Sequence, residues 1–306
     1  MGEIAVVFAY HNVGVRCLSV LLEQGVAVPL VITHRDNPQE RIWFDSVAAL
    51  AARHDIPVLT PDDPAEIETI VARLAPDFLF SFYYRHMLKP SLLALANRGA
   101  LNMHGSLLPK YRGRVPVNWA VIRGESETGA SLHYMAAKPD AGDLVDQQAV
   151  PILPDDTAAE VFGKVCGAAE TVLRRSLPAL IAGTARRRPL DLSAGSYFGG
   201  RKPEDGRIHW ADSARAVHNL VRGVAPPYPG AFCELRGLRL KILRTVVEPA
   251  FEKRFASPTL FAENTRSYVQ CGDGHVLRLE DIEIDGRKVT PAELPRLLAP
   301  IPMLLI

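Results

Sequence analysis

The sequence lacks the features that mark several large classes of protein. Its 306 residues carry a formal net charge of only +1, so there is no excess of Lys and Arg of the kind on which non-specific nucleic-acid binding rests. No apolar run approaches the roughly 20 residues that a membrane-spanning helix needs. The four cysteines are scattered, without a C-x-x-C pair or the spacing of a zinc site. These absences favour a cytoplasmic protein with reduced thiols that acts on a small molecule, with no metal and no nucleic-acid or membrane partner.

Two further absences concern the N-terminal segment. The apolar run "IAVVFAY" follows Glu3, without the basic stretch and small-residue cleavage site of a secretory signal peptide, so we expect no such peptide. The same run leads into "FAYHNVG", which contains neither G-x-G-x-x-G nor G-x-x-x-x-G-K-[ST]. The segment therefore does not predict a dinucleotide cofactor or a phosphate-binding loop.

Short apolar runs alternate with helix-period segments in the first part of the chain. The runs "IAVVFAY", "VAVPLVITH", "DFLFSFYY" and "GALNMHG" are typical of buried strands, and "VGVRCLSVLLEQG" and "AEIETIVARLAP" have apolar residues three and four apart. This alternation predicts an α/β fold with a Rossmann-like, mostly parallel sheet and helices on both faces. In such sheets ligands bind at the carboxyl ends of the strands, where "NMHG" lies.

The last third of the chain has a different pattern. Residues 187–204 mix Gly, Ser, Pro and charge without a period, which is typical of a linker. The following runs "RLKILRTVV", "SYVQCGDG" and "VLRLEDIEIDG" are short, β-like and separated by turn residues. We therefore predict a Rossmann-like catalytic domain over residues 1–186, a linker over 187–204, and a small β-rich domain, resembling an OB-like barrel, over 205–306.

Three polar residues indicate chemistry near the predicted crevice. Asn102 and His104 are two apart on a strand end, so their side chains share one face. An amide beside an imidazole can stabilise an oxyanion and move a proton near neutral pH. Asp140, in a Pro-Asp-Ala-Gly turn, can orient an imidazole and favour its protonated form. These residues predict direct acyl transfer; the alternatives are a structural Asn-His pair with an ordinary turn, or a hydrolase that uses Ser106.

A longer stretch carries a resemblance to a known family. "NMHGSLLPKYRGRVPVNWAV" followed by "ETGASLHYMAAKPDAGDLV" resembles the folate-dependent formyltransferases, whose pattern is Asn-x-His, Ser-Leu-Leu-Pro, Arg-Gly and a later Asp-x-Gly. Segments such as "FSFYYRH", "GRKPEDG" and "VHNLVRGVAPPYPGAF" extend the resemblance over nearly the whole chain. Within the family the chain is most similar to the formyltransferase domain of the bifunctional polymyxin-resistance enzyme, which formylates UDP-4-amino-4-deoxy-L-arabinose in lipid A modification.

The resemblance implies a role for each matching residue. It assigns Asn102 to stabilising the transition state, His104 to proton transfer and Asp140 to raising the basicity of His104. It makes 10-formyltetrahydrofolate the formyl donor and co-substrate. The residues that it implies for donor binding are His86, Met87, Leu88, Arg114, Ala136, Ala137, Lys138, Pro139 and Asp140.

The acceptor site rests on weaker signals. Tyr10 and His11 end the first strand near the crevice, where packing is an equal alternative. Arg201 is positioned to neutralise a diphosphate or to be a solvated linker charge. Tyr228 is suited to stacking on a uracil or to a structural role in a Pro-rich turn. The bifunctional enzyme continues into a UDP-glucuronate decarboxylating dehydrogenase and this sequence does not. The alternatives are a standalone enzyme that functions beside a separate dehydrogenase, an excised domain, or a relative that acts on another nucleotide-linked amino sugar.

Four other functions have to be compared with this one. A formyltransferase acting on another nucleotide-linked amino sugar shares every motif. Methionyl-tRNA formyltransferase would need a basic second domain, whereas residues 201–306 contain nearly equal numbers of basic and acidic residues. Glycinamide ribonucleotide formyltransferase would not need the second domain. A binding protein that has lost the chemistry is disfavoured by the intact Asn102, His104 and Asp140.

Overall fold

The computed structural model describes residues 2–38, 42–249 and 251–305. The chain forms two compact units. Unit 1 comprises Met1–Pro116, Glu127–Val150 and Phe162–Gly199, and unit 2 comprises Val117–Ser126, Pro151–Val161 and Gly200–Ile306. Within the described residues, no helix combines the length and the apolar character that crossing a membrane requires.

The elements up to residue 198 alternate between strands and helices. In chain order they are β1 (Ile4–Ala9), α1 (His11–Glu23), β2 (Ala27–Ile32), α2 (Val47–Arg53), β3 (Val58–Leu59), α3 (Glu68–Leu74), β4 (Phe78–Phe82), α4 (Pro90–Leu93), β5 (Gly99–His104), β6 (Arg112–Gly113), α5 (Pro116–Ile122), β7 (Glu127–Tyr134), β8 (Leu144–Pro151), α6 (Ala158–Ile181) and β9 (Tyr197–Phe198). Seven of the strands form one sheet in the order β3-β2-β1-β4-β5-β7-β8. The pairs from β3 to β5 are parallel and β5 pairs antiparallel with β7, which confirms the predicted mostly parallel sheet.

Helices cover both faces of this sheet, as predicted. On one face Val6 and Phe8 of β1 belong to a buried apolar cluster with Val71 of α3 and Leu92 of α4. On the other face Ala9 lies against α1, where a Cβ added to Gly14 would be 3.1 Å from the Ala9 Cβ. Strands with two buried faces have continuous apolar runs, and for this reason the apolar runs of the sequence predict these strands.

The strand order indicates where a ligand-binding crevice is expected, at the carboxyl ends of two central strands. The chain moves outward from β1 to β2 and β3, and then returns to the other side of β1 as β4 and β5. The carboxyl ends of β1 and β4 are therefore neighbours at a point where the connections diverge. Ligands in open α/β sheets bind at such points.

Unit 2 is built around an antiparallel sheet, which confirms the predicted β-rich second domain. Its remaining elements are α7 (Ala214–Val224), β10 (Ala231–Leu235), β11 (Leu238–Glu248), β12 (Thr259–Glu263), β13 (Arg266–Gln270), β14 (Val276–Ile284), β15 (Arg287–Val289), α8 (Leu294–Leu297) and β16 (Met303–Leu304). The sheet order is β10-β11-β14-β13-β12-β16, and β15 pairs with β14. Helix α7 was not predicted, because three of its buried residues are polar: His218, Asn219 and Arg222.

The two units alternate along the chain. Residues 117–126 and 151–161 belong to unit 2. The backbone carbonyls of Val121 and Asp156, in these two segments, accept hydrogen bonds from the Arg222 side chain. Within the predicted linker, β9 pairs in parallel with β6. The domain limits derived from the sequence stay a prediction.

Candidate active site

Strand β5 places Asn102 and His104 on one face at its carboxyl end. Asn102 pairs with Ser81 of β4 on one side and with His133 of β7 on the other. The His104 side chain is buried, with 5% of the residue exposed. Its Nε2 lies 2.8 Å from the Tyr111 carbonyl oxygen, and its Nδ1 lies 3.5 Å from Oδ1 of Asp140.

Asp140 is the group on which the predicted catalytic residues converge. Its Oδ2 accepts a 2.8 Å hydrogen bond from the Gly113 backbone N–H, and its Oδ1 accepts a long 3.5 Å bond from Nδ2 of Asn102. Asp140 adopts a φ of 49°, which a non-glycine residue rarely adopts and which holds it in the turn. Asn102, His104 and Asp140 are therefore brought together although 38 residues separate Asn102 from Asp140.

His133 is a member of this cluster that the sequence did not reveal. It is 1% exposed, and its Nε2 lies 3.1 Å from Nδ2 of Asn102 and 3.5 Å from Oδ1 of Asp140. Its Nδ1 lies 2.8 Å from the Tyr134 carbonyl oxygen. A carbonyl only accepts and an amide nitrogen only donates, so these partners place the His133 proton on Nδ1 and leave Nε2 to accept from Asn102.

The electrostatics of the cluster favour a neutral imidazole beside an ionised carboxylate. Burial lowers the pKa of His104 below its usual value, although the Asp140 charge and the Tyr111 carbonyl act in the opposite direction. Burial also acts to raise the pKa of Asp140, but its electrostatic interactions with His104 and His133 and the hydrogen bond from the Gly113 N–H outweigh it and hold that pKa well below its usual range. His104 is thus ready to accept a proton beside a group that stabilises the resulting imidazolium.

The loop from Tyr111 to Gly113 supports the cluster and is itself held by β9. Gly113 has a φ of 100°, and a Cβ at this position would collide with the Phe198 carbonyl oxygen. Arg112 N–H donates to Ser196 O at 3.0 Å, and Arg114 N–H donates to Phe198 O at 2.9 Å. Residues in the predicted linker therefore fix the backbone groups that contact His104 and Asp140.

Ser106 has a structural role. It is fully buried, and its Oγ donates a 2.6 Å hydrogen bond to the Lys110 carbonyl oxygen. Ser131 Oγ donates in turn to the Ser106 carbonyl at 2.5 Å. The hydroxyl thus closes the turn after β5, and this does not support its alternative assignment as a hydrolase nucleophile. In the part of the chain that the structure describes, no group of three or more His, Cys, Asp or Glu residues is arranged to hold a metal ion.

Comparison with known families fits this geometry. Residues 14–177 match the formyl transferase family, and residues 201–294 match the C-terminal domain of formyl transferases. The chain belongs to the formyl transferase family. The predicted family and enzyme class are therefore confirmed, while a specific relationship to the polymyxin-resistance enzyme stays a prediction.

Solved structures with a similar fold include three N-formyltransferases. An N-formyltransferase from Helicobacter canadensis, in complex with folinic acid and dTDP-3-aminofucose, has a TM-score of 0.69 and 20% identity, covering 94% of this chain and 100% of that one. WlaRD, a sugar 3N-formyl transferase with dTDP and 5-N-formyl-THF, has a TM-score of 0.71 and 18% identity, covering 94% and 98%. A sugar N-formyltransferase from Shewanella sp. has a TM-score of 0.63 and 18% identity, covering 79% and 96%.

The residues expected to bind the formyl donor lie in three loops of unit 1. His86, Met87 and Leu88 follow β4; Met87 is 60% exposed, whereas Leu88 is buried in the core cluster. Arg114 follows β6 and is exposed, and the loop 136–140 is exposed as far as residue 138. Their donor-binding role stays a prediction, and the exposure of most of these residues is compatible with it.

The rings of Tyr10 and His86 both lie against His34, a residue to which the sequence assigns no role. His34 stacks on Tyr84 with ring centroids 4.2 Å apart, and its ring centroid lies 5.1 Å from that of Tyr10 and 4.7 Å from that of His86. Burial, and next the charges of His86 and Arg85, lower the pKa of His34 to about 4. A residue predicted for the acceptor and one predicted for the donor thus share a neutral aromatic neighbour at the edge of the sheet.

His11 lies in an aromatic cluster beside this edge. Its ring stacks on Phe44 at 3.9 Å and meets Trp43 at 4.6 Å and Phe162 at 4.7 Å. Burial, and next the charge of Arg85, lower the pKa of His11 to about 3. These contacts explain the position of His11 by packing, which is one of the two alternatives that the sequence left open. A contact between His11 and an acceptor stays a prediction.

Arg201 and Tyr228 both lie in unit 2. The Arg201 guanidinium stacks over the Trp119 ring at 4.6 Å, and its Nη2 donates to the Asp205 carbonyl at 2.6 Å. Tyr228 is half-buried, and its backbone N–H donates to Ala225 O at 3.2 Å. Both residues have local structural partners, and their substrate-binding roles stay predictions.

Proposed function

We propose that this formyltransferase transfers the formyl group of 10-formyltetrahydrofolate to the amino group of a nucleotide-linked amino sugar. The observation that carries the proposal is the convergence of Asn102, a neutral His104 and an ionised Asp140 at the carboxyl end of one strand. The fold neighbours support the substrate class, because one binds folinic acid with dTDP-3-aminofucose and another binds 5-N-formyl-THF with dTDP.

The proposed reaction forms one C–N bond and breaks another. The sugar amine attacks the formyl carbon, and the Asn102 amide stabilises the oxyanion that develops on the formyl oxygen. His104 takes up the proton of the attacking amine, and the imidazolium is stabilised between the Asp140 carboxylate and the Tyr111 carbonyl. Both nitrogens of His104 face protein groups, so a water molecule relays the proton. Return of the proton to the departing folate nitrogen releases tetrahydrofolate and the formamide.

UDP-4-amino-4-deoxy-L-arabinose is the acceptor that we propose within this class. The resemblance of "HGSLLPKYRGR" and "VHNLVRGVAPPYPGAF" to the enzyme of lipid A modification supports it. One fold neighbour binds dTDP-3-aminofucose and the other, a sugar 3N-formyl transferase, binds dTDP, so the nucleotide and the position of the amine are the features to test.

A product assay distinguishes the candidate acceptors. Purified protein is incubated with 10-formyltetrahydrofolate and, separately, UDP-4-amino-4-deoxy-L-arabinose, a dTDP-3-amino sugar, or charged initiator tRNA, and formylated products are identified by mass spectrometry. We expect formylation of the UDP sugar by the wild type and none by His104→Ala. Formylation of the dTDP sugar alone would replace the proposed acceptor, formylation of tRNA alone would contradict the sugar class, and no product with any acceptor would favour a binding protein.

A further inference from the structure

Arg112 is a buried cation without a partner among the residues that the structure describes. It lies in β6 and is 7% exposed. Its Nε and Nη1 are shut off from solvent and form no hydrogen bond, and no ion pair or ring contact involves its side chain within residues 2–38, 42–249 and 251–305. The third guanidinium nitrogen, Nη2, is not among the atoms that are shut off from solvent.

An arrangement of this kind is costly for the ligand-free protein. A buried charge normally has a counter-ion and a full set of hydrogen bonds, because desolvation without them destabilises the fold strongly. Buried polar groups that lack partners are rare and call for a functional explanation. A cation that contacts accessible space through one nitrogen is suited to receive a ligand group.

The backbone of Arg112 lies next to the catalytic cluster. The Tyr111 carbonyl contacts His104 at 2.8 Å, and the Gly113 N–H contacts Asp140 at 2.8 Å. On the opposite edge, the N–H of Arg112 itself donates to Ser196 O. The backbone of the residue is therefore held on both edges, and its side chain begins beside the groups that perform the chemistry.

Arg222 in unit 2 is an internal reference for this argument. It is also 7% exposed, but its Nε donates to Asn219 Oδ1 at 2.9 Å and its Nη1 to Asp156 O at 3.0 Å. The same side chain at the same burial is thus bonded in one place and unbonded in the other. The fold is able to satisfy a buried guanidinium, and it does not do so at Arg112.

We propose that Arg112 binds an oxyanion of a substrate, either a phosphate oxygen of a nucleotide or a carboxylate oxygen of the folate. A guanidinium N–H donates charge-assisted hydrogen bonds to either group, and in Arg112 the nitrogen placed to do so is Nη2. The two sources follow from the proposed function, and the binding measurement does not require turnover.

Calorimetric titration of the full chain tests the proposal. The ligands are UDP, folinic acid, and a folinic acid analogue without the glutamate. Arg112→Met is compared with wild type, with Arg112→Lys, which retains the charge, and with Arg73→Met, the same change at an exposed site on α3. We expect Arg112→Met to raise the Kd of one ligand class about 10- to 100-fold, Arg112→Lys to raise it less, and Arg73→Met to leave it unchanged.

The pattern across ligands identifies the source of the oxyanion. A loss confined to UDP indicates the phosphate. A loss confined to folinic acid, and absent for the analogue without the glutamate, indicates the carboxylate. Either pattern supports the proposal even if no acceptor is formylated, whereas active protein with unchanged affinities in Arg112→Met overturns the proposal and leaves the proposed function standing.

Thermal unfolding of the ligand-free protein distinguishes ligand binding from a structural role. Because the guanidinium has no partner, we expect the Tm of Arg112→Met to equal or exceed that of wild type. A Tm lowered by several degrees with unchanged affinities, or a failure of both Arg112 variants to fold, would overturn the proposal in favour of a structural role.

Discussion

Two regions of the molecule carry the same three polar residue types, most of them buried. In unit 1 these are Asn102 and His104 of the catalytic cluster together with Arg112, whose backbone lies beside them, and in unit 2 they are His218, Asn219 and Arg222. In both clusters burial lowers the pKa of the histidine below its usual value. The histidines and the arginines of the two regions are similarly buried, whereas Asn102 is only partly buried and Asn219 is buried.

The clusters differ in how their hydrogen-bonding capacity is used. In unit 2, His218 contacts Thr245 Oγ1 at 2.9 Å and Pro154 O at 3.1 Å, and the Arg222 guanidinium bonds Asn219 and backbone carbonyls. In unit 1, Asn102 is only partly buried and Arg112 has no partner within the described residues. Buried polarity therefore does not mark a functional site by itself. Unused hydrogen-bonding capacity adds a signal only where it lies beside the reacting groups, as at Arg112, since other buried polar atoms of the described residues also lack a hydrogen-bond partner.

Removing the histidine of each cluster tests this contrast with the largest expected effect. His104→Ala loses the proton acceptor, so we expect turnover to fall at least about 100- to 1,000-fold with the fold retained; Asn102→Ala, which loses the oxyanion donor, should show a similar fall. His218→Ala is expected to lower the Tm and to leave the turnover of the folded protein unchanged. Formyl transfer assays and circular dichroism at a temperature where all variants are folded provide both measurements. Near-normal turnover in His104→Ala would contradict the assignment of unit 1.

The two buried arginines should respond in opposite directions to the same substitution. Arg222→Met leaves the carbonyls of Leu153 and Asp156 without their donor, and we expect it to destabilise the protein by about 3 kcal/mol. Arg112→Met removes no bond and should not destabilise it. Urea denaturation measures both, with Arg73→Met as the exposed control. Equal destabilisation by both buried variants would remove the distinction between the clusters.

His133 is expected to act as a positioning residue with a smaller effect. His133→Phe removes the acceptor for the Asn102 amide and a contact to Asp140, so the amide can rotate away from the developing oxyanion. We expect kcat to fall about tenfold with little change in KM, since only transition-state stabilisation is affected. His133→Gln retains an acceptor and should restore part of kcat. If KM rises and kcat does not change, His133 contributes to substrate binding instead.

The smallest expected effect concerns the pH dependence of stability. His11 has a pKa lowered from 6.5 to about 3, so the unfolded chain takes up a proton at a pH where the folded chain does not. This contribution to stability is complete above about pH 6.5 and is lost progressively as the pH falls toward 3. In urea denaturation between about pH 4 and pH 7.5, stability should therefore fall less steeply for His11→Phe than for wild type. The control His54→Phe, at an exposed histidine, should retain the wild-type slope; an unchanged slope in His11→Phe would contradict the prediction.

Local pattern was sufficient for much of the fold. Strands β1 and β4 are buried on both faces and have continuous apolar runs, and α1 has a regular helical period. Helix α7 escaped prediction because its buried face includes His218, Asn219 and Arg222. The backbone carbonyls that accept from His218 and Arg222 come from residues 121 to 156, and no local pattern indicates such distant partners.

The sequence predicts the site only where the type and spacing of a residue indicate its chemistry. Asn102 and His104 are revealed by their spacing and by the family motif. His133 is missed because its importance comes from the pairing of β7 with β5, which places it opposite Asn102. The support from β9 is missed because short, irregular strands have no apolar period.

The sequence by itself determined the α/β class, the β-rich C-terminal domain and the membership of the formyl transferase family, because periodicity and motifs are local properties of a chain. Tertiary structure alone decided which buried polar groups are satisfied. It bonded Arg222 to carbonyls more than 60 residues away and left Arg112 without a partner in the described chain. Hydrogen bonds depend on distance and direction between groups that folding brings together, and that geometry separates a structural cluster from a candidate active site.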